Sequence, residues 1–227
     1  MKAEKNPLTI LLQVIFLTAP FLLVFALWAR FPENVATHWD IHGRPNGWMP
    51  RAAGLLLMPL INIGFCATFS ALPYLDARLR KQTESNESTR KVMLTFRLTF
   101  NAFFCFLSFL IPLAALGVRF DISRVIMNGC LILFMILGNF MGNLRPNFVA
   151  GIRTPWTLKD PEVWRSTNRL CGHLFFWGSL ALLAIQWLIT SERLLWVFLA
   201  YAIGISLWGI AFSYFAYRKK HTLQIKA

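Results

Sequence analysis

The sequence predicts an all-α membrane protein, a polytopic bundle of six transmembrane helices with both termini in the cytoplasm. The chain is 56% hydrophobic and only 15% charged, whereas a soluble domain carries roughly 25% charged residues. Several apolar runs approach or exceed the ~20 residues needed to cross a bilayer. A net charge of +13 would also suit a nucleic-acid-binding protein. The distribution of the cations between the apolar runs explains it better, so no direct nucleic-acid binding is expected.

Six apolar segments account for most of the chain, and the connections divide it into three parts. The first segment follows Lys2 and Lys5, as in a signal peptide, but its about 22 residues exceed a signal h-region and no small-residue cleavage site follows. We expect an N-terminal helical hairpin (1–75) with an extracytoplasmic loop (30–53), a mobile polar cytoplasmic linker (76–96), and a four-helix region (97–227). The predicted spans are 8–29, 54–74, 97–118, 124–142, 171–190 and 194–217.

Lysine and arginine are distributed unevenly between the two sides that alternate connections define. Of the 23 cations, 17 fall on the side of the termini and 6 on the other side. Cytoplasmic loops carry this excess of Lys and Arg. The termini, the linker and the connection between spans four and five are therefore predicted to be cytoplasmic, in a bacterial cell membrane.

The long outer loop after the first span contains a strand pattern and a turn. Val35, Thr37, Trp39 and Ile41 alternate as in a half-buried strand. Pro45-Asn46-Gly47 is typical of a turn, with glycine available for positive φ.

The same loop contains His38, Asp40 and His42, which would share one face of a strand. Two histidines and one aspartate permit a metal site, but structural zinc sites usually have four ligands. Histidines that support the loop by hydrogen bonds are the alternative. We assign no metal and no cofactor.

The predicted spans contain few polar or ionisable side chains. Their amides, among them Asn62 and Asn101, suit interhelical hydrogen bonds, and the absence of a deep acidic residue disfavours a small-solute transporter. The four cysteines form no CxxC pair. Without a nucleophile–base pair or an HExxH motif, an enzyme is not expected. A metal-dependent enzyme using His38 and His42 at the membrane face is kept as an alternative.

Prolines, glycines, cations and aromatic residues are concentrated in residues 138–169, which we call the signature segment. Pro146 is expected to end the incoming helix, Gly151 can take the positive φ of a reversal, and Pro155 should hold Thr154 extended. Asp160-Pro161-Glu162 predicts a helix start, with a side-chain cap, a first-turn proline and a first-turn acid. Composition alone would also suit an ordinary loop. The segment contains five cations and three aromatic anchors: Arg145, Arg153, Lys159, Arg165, Arg169, Phe148, Trp156 and Trp164.

A short amphipathic helix is predicted at the end of this segment. Val163, Leu170 and Leu174 share one face, while Arg165 and Arg169 lie four residues apart on another. The helix would lead into the fifth span. Within the fourth span and its end, Gly138 and Gly142 have the spacing that allows two helices to approach closely.

Two motifs carry a resemblance to a known family. Gly138-Asn-Phe-Met-Gly-Asn-Leu-Arg-Pro-Asn-Phe-Val-Ala-Gly-Ile-Arg-Thr-Pro-Trp-Thr-Leu, followed by Glu162-Val-Trp, resembles the signature of the SdpI family of integral membrane proteins. His38-Trp-Asp and Gly43-Arg-Pro-Asn-Gly-Trp48 resemble the N-terminal domain of unknown function that accompanies it. With the six spans, the resemblance covers most of the chain.

The resemblance implies immunity to a secreted, membrane-acting peptide toxin, and signalling by holding a transcriptional repressor at the membrane. It places candidate partner-binding residues in the cytoplasmic part of the signature segment: Asn143, Arg145, Pro146, Asn147, Gly151, Arg153, Thr154, Pro155, Trp156, Trp164, Arg165 and Arg169. In the extracytoplasmic loop the candidates are His38, Trp39, His42, Gly43, Pro45, Gly47 and Trp48. The alternative partner of the arginines is the lipid bilayer itself, through its anionic headgroups.

Overall fold

The computed structural model describes residues 6–75, 77–147 and 150–225. Eight α-helices and one β-hairpin make up this part of the chain. In chain order they are α1 (Pro7–Ala26), β1 (Asn34–Trp39), β2 (Pro45–Pro50), α2 (Arg51–Leu75), α3 (Ala77–Ser85), α4 (Glu87–Ala115), α5 (Ile122–Met141), α6 (Pro155–Lys159), α7 (Pro161–Ile185) and α8 (Ser191–Ile225). The predicted anchor Phe148 and the terminal lysines Lys2, Lys5 and Lys226 lie outside the described residues.

Six of these helices, α1, α2, α4, α5, α7 and α8, are long and apolar enough to cross a membrane. The all-α, multi-pass membrane fold is therefore confirmed. Two helices, α4 and α7, begin ten residues before the predicted spans at 97 and 171. In α7 the predicted amphipathic helix and the predicted fifth span form one continuous helix.

The predicted linker at 76–96 is largely helical, which corrects our expectation of an irregular segment. It contains α3 and the first turns of α4. No glycine or proline occurs between residues 77 and 96. Arg80 pairs with Glu84 at 3.0 Å and Lys91 with Glu87 at 2.9 Å, one helical turn apart. Asn86 caps α4 by accepting from the Thr89 N–H. A polar composition alone therefore did not identify a loop.

The bundle has two ends, which we name by what they carry. The hairpin end carries β1, β2 and the connections α4–α5 and α7–α8. The signature end carries α3, α6 and the α5–α7 connection. One buried cluster lies near each end: Val24, Phe31, Val35, Leu55 and Ile111 at the hairpin end, and Val92, Phe96, Met141, Leu144, Trp164, Cys171 and Ile205 at the signature end.

Between the two ends, helices meet through small and polar residues. A Cβ on Gly138 would lie 2.6 Å from the Gly172 carbonyl oxygen, so α5 and α7 touch through their backbones. Asn62, which is buried, donates to the carbonyls of Phe16 and Asn101 at 3.1 and 3.3 Å, joining α1, α2 and α4. Interhelical hydrogen bonding is thus confirmed for Asn62. Close approach is confirmed at Gly138, whereas Gly142 makes ordinary contacts with Arg169.

Candidate functional site

The hairpin is an irregular antiparallel ribbon closed by one aspartate. Asn34 pairs with Pro50 and Trp39 with Pro45, with irregularities on either side of His38. The Asp40 carboxylate accepts from the backbone N–H groups of Arg44 and His42 at 2.8 and 2.9 Å. These bonds, above all that from Arg44, hold the pKa of Asp40 below its ordinary value. Gly43 has a φ of 74°, so the reversal uses this glycine and not the predicted Pro45-Asn46-Gly47 turn, which is part of β2.

Two anchors fix the hairpin to the helices. Val35 is 1% exposed and packs so close to Gly54 that a Cβ there would lie 2.3 Å from its methyl group. The Arg51 guanidinium donates to the carbonyls of Pro32 and Trp28, each at 3.2 Å, and lies over the Trp28 ring. The backbone of the hairpin is therefore fixed to the helices, while several of its side chains remain accessible.

Most of the candidate residues of the hairpin are exposed or half-buried. His38, His42, Pro45 and Trp48 are exposed, and Trp39, Gly43 and Gly47 are half-buried. The ring of His38 bonds to Asn46, and His42 lies 3.9 Å from Glu192.

The predicted common face of His38, Asp40 and His42 does not form, because β1 ends at Trp39 and Asp40 closes the turn. Within residues 6–75, 77–147 and 150–225 no group of three His, Cys, Asp or Glu side chains is placed to hold a metal ion.

At the signature end, Trp164 fixes the chain that leaves α5. Its side chain is fully buried, and its indole N–H donates to the Leu144 carbonyl at 2.7 Å. The helix before it ends at Met141, so the termination attributed to Pro146 occurs five residues earlier. Trp164 thus converts an irregular stretch into one with a fixed path against α7.

The next part of the segment is organised by two asparagines. Asn147 donates to the Arg145 carbonyl and accepts from the Ala150 N–H, at 2.7 and 2.9 Å. Buried Asn168 on α7 accepts from the Ile152 N–H at 2.7 Å and donates to the Trp164 carbonyl.

Between these two asparagines the chain reverses at Gly151. Its φ is 103°, as predicted, and a Cβ there would lie 2.5 Å from the Asn168 side-chain oxygen. Glycine is required at this position for both conformation and space.

The short helix α6 begins at a capping box and docks on α8. Thr154 is extended before Pro155, as predicted, and its hydroxyl accepts from the Thr157 N–H. The same hydroxyl lies 3.0 Å from that of Ser213 on α8. The Trp156 ring meets the edge of Tyr214 with centroids 5.2 Å apart. Sequence analysis predicted the extended Thr154 but missed the helix that follows it.

Asp160 joins α7 to the end of α8. It caps α7 through the N–H groups of Glu162 and Val163, which confirms the predicted helix start. Lys220 pairs with Asp160 at 2.9 Å and with Glu162 at 2.6 Å. Burial of Asp160 raises its pKa, but the bonds from Lys220 and from the two backbone N–H groups outweigh this, so its pKa lies below the ordinary value.

The cations of the signature segment are divided between two surfaces. A groove of about 830 Å³ between α5 and α7 is lined by Arg145, Arg165 and Arg169. Arg153 and Lys159 are exposed but do not line the groove. The five cations of the segment therefore do not share one surface.

The buried face of α7 differs from the predicted one. Val163 is buried, but Leu170 is half-buried and Leu174 is 36% exposed. Beside the anchor Trp164, the buried stripe instead contains small and polar residues that hydrophobic periodicity does not identify: Thr167, Asn168, Cys171 and Gly172. Ser213 and Lys220 were also missed, because their partners lie 59 and 60 residues away and no local pattern marks them.

Comparison with known proteins identifies both regions. Residues 143–213 match the model of the SdpI/YfhL protein family, and residues 15–63 match a domain of unknown function, DUF1648. The chain is 23% identical over 209 residues to "Immunity protein SdpI" of Bacillus subtilis (strain 168), an alignment covering 92% of this chain and 96% of the relative. No solved structure matches. The predicted resemblance to the SdpI family is confirmed, and the protein is a multi-pass bacterial membrane protein.

Proposed function

We propose that this SdpI-like membrane protein confers immunity to a secreted peptide toxin that acts on the membrane. One observation carries the proposal. The similarity to the Bacillus subtilis immunity protein extends over 92% of this chain and 96% of the relative, so it includes both the hairpin and the signature segment. A relative sharing only the helices would support no more than a common membrane fold.

The hairpin offers a suitable surface for a peptide that approaches from outside. Trp48 is 60% exposed and Trp39 half-buried, while Val35 and Arg51 hold the backbone beneath them. Indole rings at a membrane interface contact apolar and polar groups together, as an amphipathic peptide requires. In our proposal the hairpin end faces outside, in agreement with the distribution of cations. Cysteine labelling at positions 46 and 86 tests this orientation, with only position 46 reacting from outside.

The decisive experiment is survival of a toxin-sensitive host that expresses the protein. Trp48→Ala and Trp39→Ala should lower resistance, while the protein still accumulates in the membrane. Trp196→Ala is the matched control, because Trp196 on α8 is likewise 60% exposed and lies outside the hairpin. If the wild-type protein gives no protection against any membrane-acting peptide tested, or if Trp196→Ala lowers resistance as much as Trp48→Ala, the proposal fails.

The exposed cation Arg153 supports a second role, recruitment of a cytoplasmic transcriptional repressor. Arg153 lies on a turn whose backbone is fixed by Gly151 and by the bond from Ile152 to Asn168. A fixed cation presents a defined partner for an acidic protein surface. Protection and recruitment would then use opposite ends of the bundle.

A further inference from the structure

One stripe of α7 forms a wall of the groove between α5 and α7. Arg165, Arg169, His173 and Trp177 recur every four residues and all line it. A four-residue step rises about 6 Å, so the stripe runs about 18 Å along the helix. It changes from cationic at the signature end to aromatic towards the middle of the bundle.

The opposite wall is polar and the floor lacks side chains. Asn139 and Asn143 lie at the end of α5 and face the groove together with Arg145. Gly138 and Gly172, whose backbones touch, also line it. Because a Cβ on either glycine would point into the contact between α5 and α7, the two glycines let these helices meet closely along the groove. The groove therefore combines hydrogen-bonding walls with room for a bound group.

Within the described residues, no acidic side chain forms an ion pair with the groove arginines. Arg145, Arg165 and Arg169 are exposed, and none forms an ion pair within the described part of the chain. Glu162 and Asp160, two acids at this end, are both taken by Lys220. Guanidinium groups bind phosphate and carboxylate oxygens in a bidentate manner. Three arginines that line one groove favour an anionic ligand with several oxygens.

The depth of the stripe favours a lipid over a soluble anion. The 3₁₀ turn that follows α7 at the hairpin end finishes at Leu188. A hydrocarbon core of about 30 Å takes about 20 helical residues, so its other boundary falls near residue 169. Arg165 and Arg169 then lie at headgroup level, while His173 and Trp177 lie within the adjoining acyl region. Trp177 is 63% exposed and is available to an acyl chain.

We propose that this groove holds an anionic phospholipid, with its phosphate on Arg145, Arg165 and Arg169 and an acyl chain along Trp177. The site does not depend on toxin immunity and is tested without a toxin. It assigns the three groove arginines to lipid.

The test is native mass spectrometry of the full chain in an uncharged detergent, titrated with phosphatidylglycerol, with phosphatidylcholine of the same acyl chains, or with inorganic phosphate. Phosphatidylglycerol should bind at least about 10-fold more tightly than phosphatidylcholine. Replacing two juxtamembrane cations, in Arg165→Gln/Arg169→Gln, should weaken it about 30-fold. The matched control Arg218→Gln/Lys219→Gln removes two exposed cations from the same end, outside the groove, and should change it less than about 3-fold. Trp177→Ala should weaken lipid binding several-fold.

Three results would overturn the proposal. Equal losses in the two double variants would show only a diffuse attraction between charges. Inorganic phosphate bound as tightly as the lipid, with no effect of Trp177→Ala, would show a simple anion site. Undiminished lipid binding by Arg165→Gln/Arg169→Gln would show that these arginines do not hold the lipid, and would favour a cytoplasmic protein as their partner. Size-exclusion profiles identical to that of the wild type establish that the surface variants remain folded.

Discussion

The hairpin and the signature segment both connect long helices, but they are attached to the bundle in different ways. The hydrogen bonds that hold the hairpin, from Asp40 and Arg51, reach at most 23 residues along the chain. Those that hold the signature segment to α7 reach 16 and 20 residues, and those that hold it to α8 reach 59 and 60 residues. The hairpin rests on the bundle, whereas the signature segment is part of its packing.

This difference determines what each region can do. The hairpin can change its exposed side chains with little effect on the helices, as a surface that meets varied ligands requires. The signature segment cannot move unless α7 or α8 moves with it, because Trp164, Asn168 and Asp160 join them. A rearrangement of the bundle would therefore be visible at Arg153, and substitutions in the two regions should differ in their cost.

The sharpest test of the comparison replaces one tryptophan in each region. Trp164→Ala should lower the free energy of unfolding by about 3–5 kcal/mol, because it leaves a cavity and an unpaired Leu144 carbonyl. Trp48→Ala should change it by less than about 0.5 kcal/mol, since the ring is largely exposed. Thermal unfolding in detergent measures both. Equal shifts would mean that the signature segment is no more integrated than the hairpin.

The next largest effect is expected where α5 and α7 cross. Gly138→Ala places a Cβ 2.6 Å from a backbone oxygen, and overpacking of this kind costs about 1–3 kcal/mol. Gly204→Ala on α8 is the control, because no neighbouring side chain or other helix among the described residues comes within 4 Å of the position that its new methyl group would occupy. Its unfolding temperature should match or exceed that of the wild type. If Gly138→Ala unfolds at the same temperature as the wild type, the close crossing of α5 and α7 does not contribute to the stability of the signature segment.

A smaller, pH-dependent effect is expected at Asp160. The Asp160→Asn variant keeps a helix cap but loses its charge towards Lys220, which should cost about 1–2 kcal/mol at neutral pH. The folded-state pKa of Asp160 lies below its ordinary value, so its contribution is complete at neutral pH. It is lost as the pH falls through that pKa. Stability curves of variant and wild type should converge in acid; a constant difference would refute the ion-pair explanation.

The smallest effect on stability, with the largest on signalling, is expected at Arg153. Arg153→Ala should impair recruitment of a cytoplasmic partner, whereas Lys159→Ala should do little. Both side chains are exposed, so unfolding should shift by less than about 0.5 kcal/mol in each. Membrane recruitment of a candidate repressor, scored beside resistance to toxin, is the readout. If both variants recruit the partner normally, neither Arg153 nor Lys159 has a role in partner binding.

Features that depend on neighbouring residues could be predicted from the sequence. Asp160-Pro161-Glu162 begins a helix, Gly151 has positive φ, and Thr154 is extended, because cap and turn preferences act over a few residues. The spans followed from length and hydropathy.

Features that depend on distant contacts were missed. The buried stripe on α7 contains Thr167 and Asn168, polar residues whose burial depends on partners elsewhere in the fold. One miss was local: residues 76–96 were assigned to a linker from their polarity, although ion pairs one turn apart stabilise helices in the described part, 77–96. The division of the cations between groove and turn required the packing of α5 against α7.

The long-range contacts of Thr154 with Ser213 and of Asp160 with Lys220 also set an order of events during synthesis. The ribosome delivers the signature segment about 60 residues before the part of α8 that secures it. At 5–20 residues per second this interval lasts roughly 3–12 s. The hairpin, by contrast, has its hydrogen-bond partners as soon as Arg51 has emerged. A chain truncated before Ser191 would retain five of the six long helices and the hairpin. Its signature segment would lack the contacts with α8 and stay open to proteases at that end of the bundle.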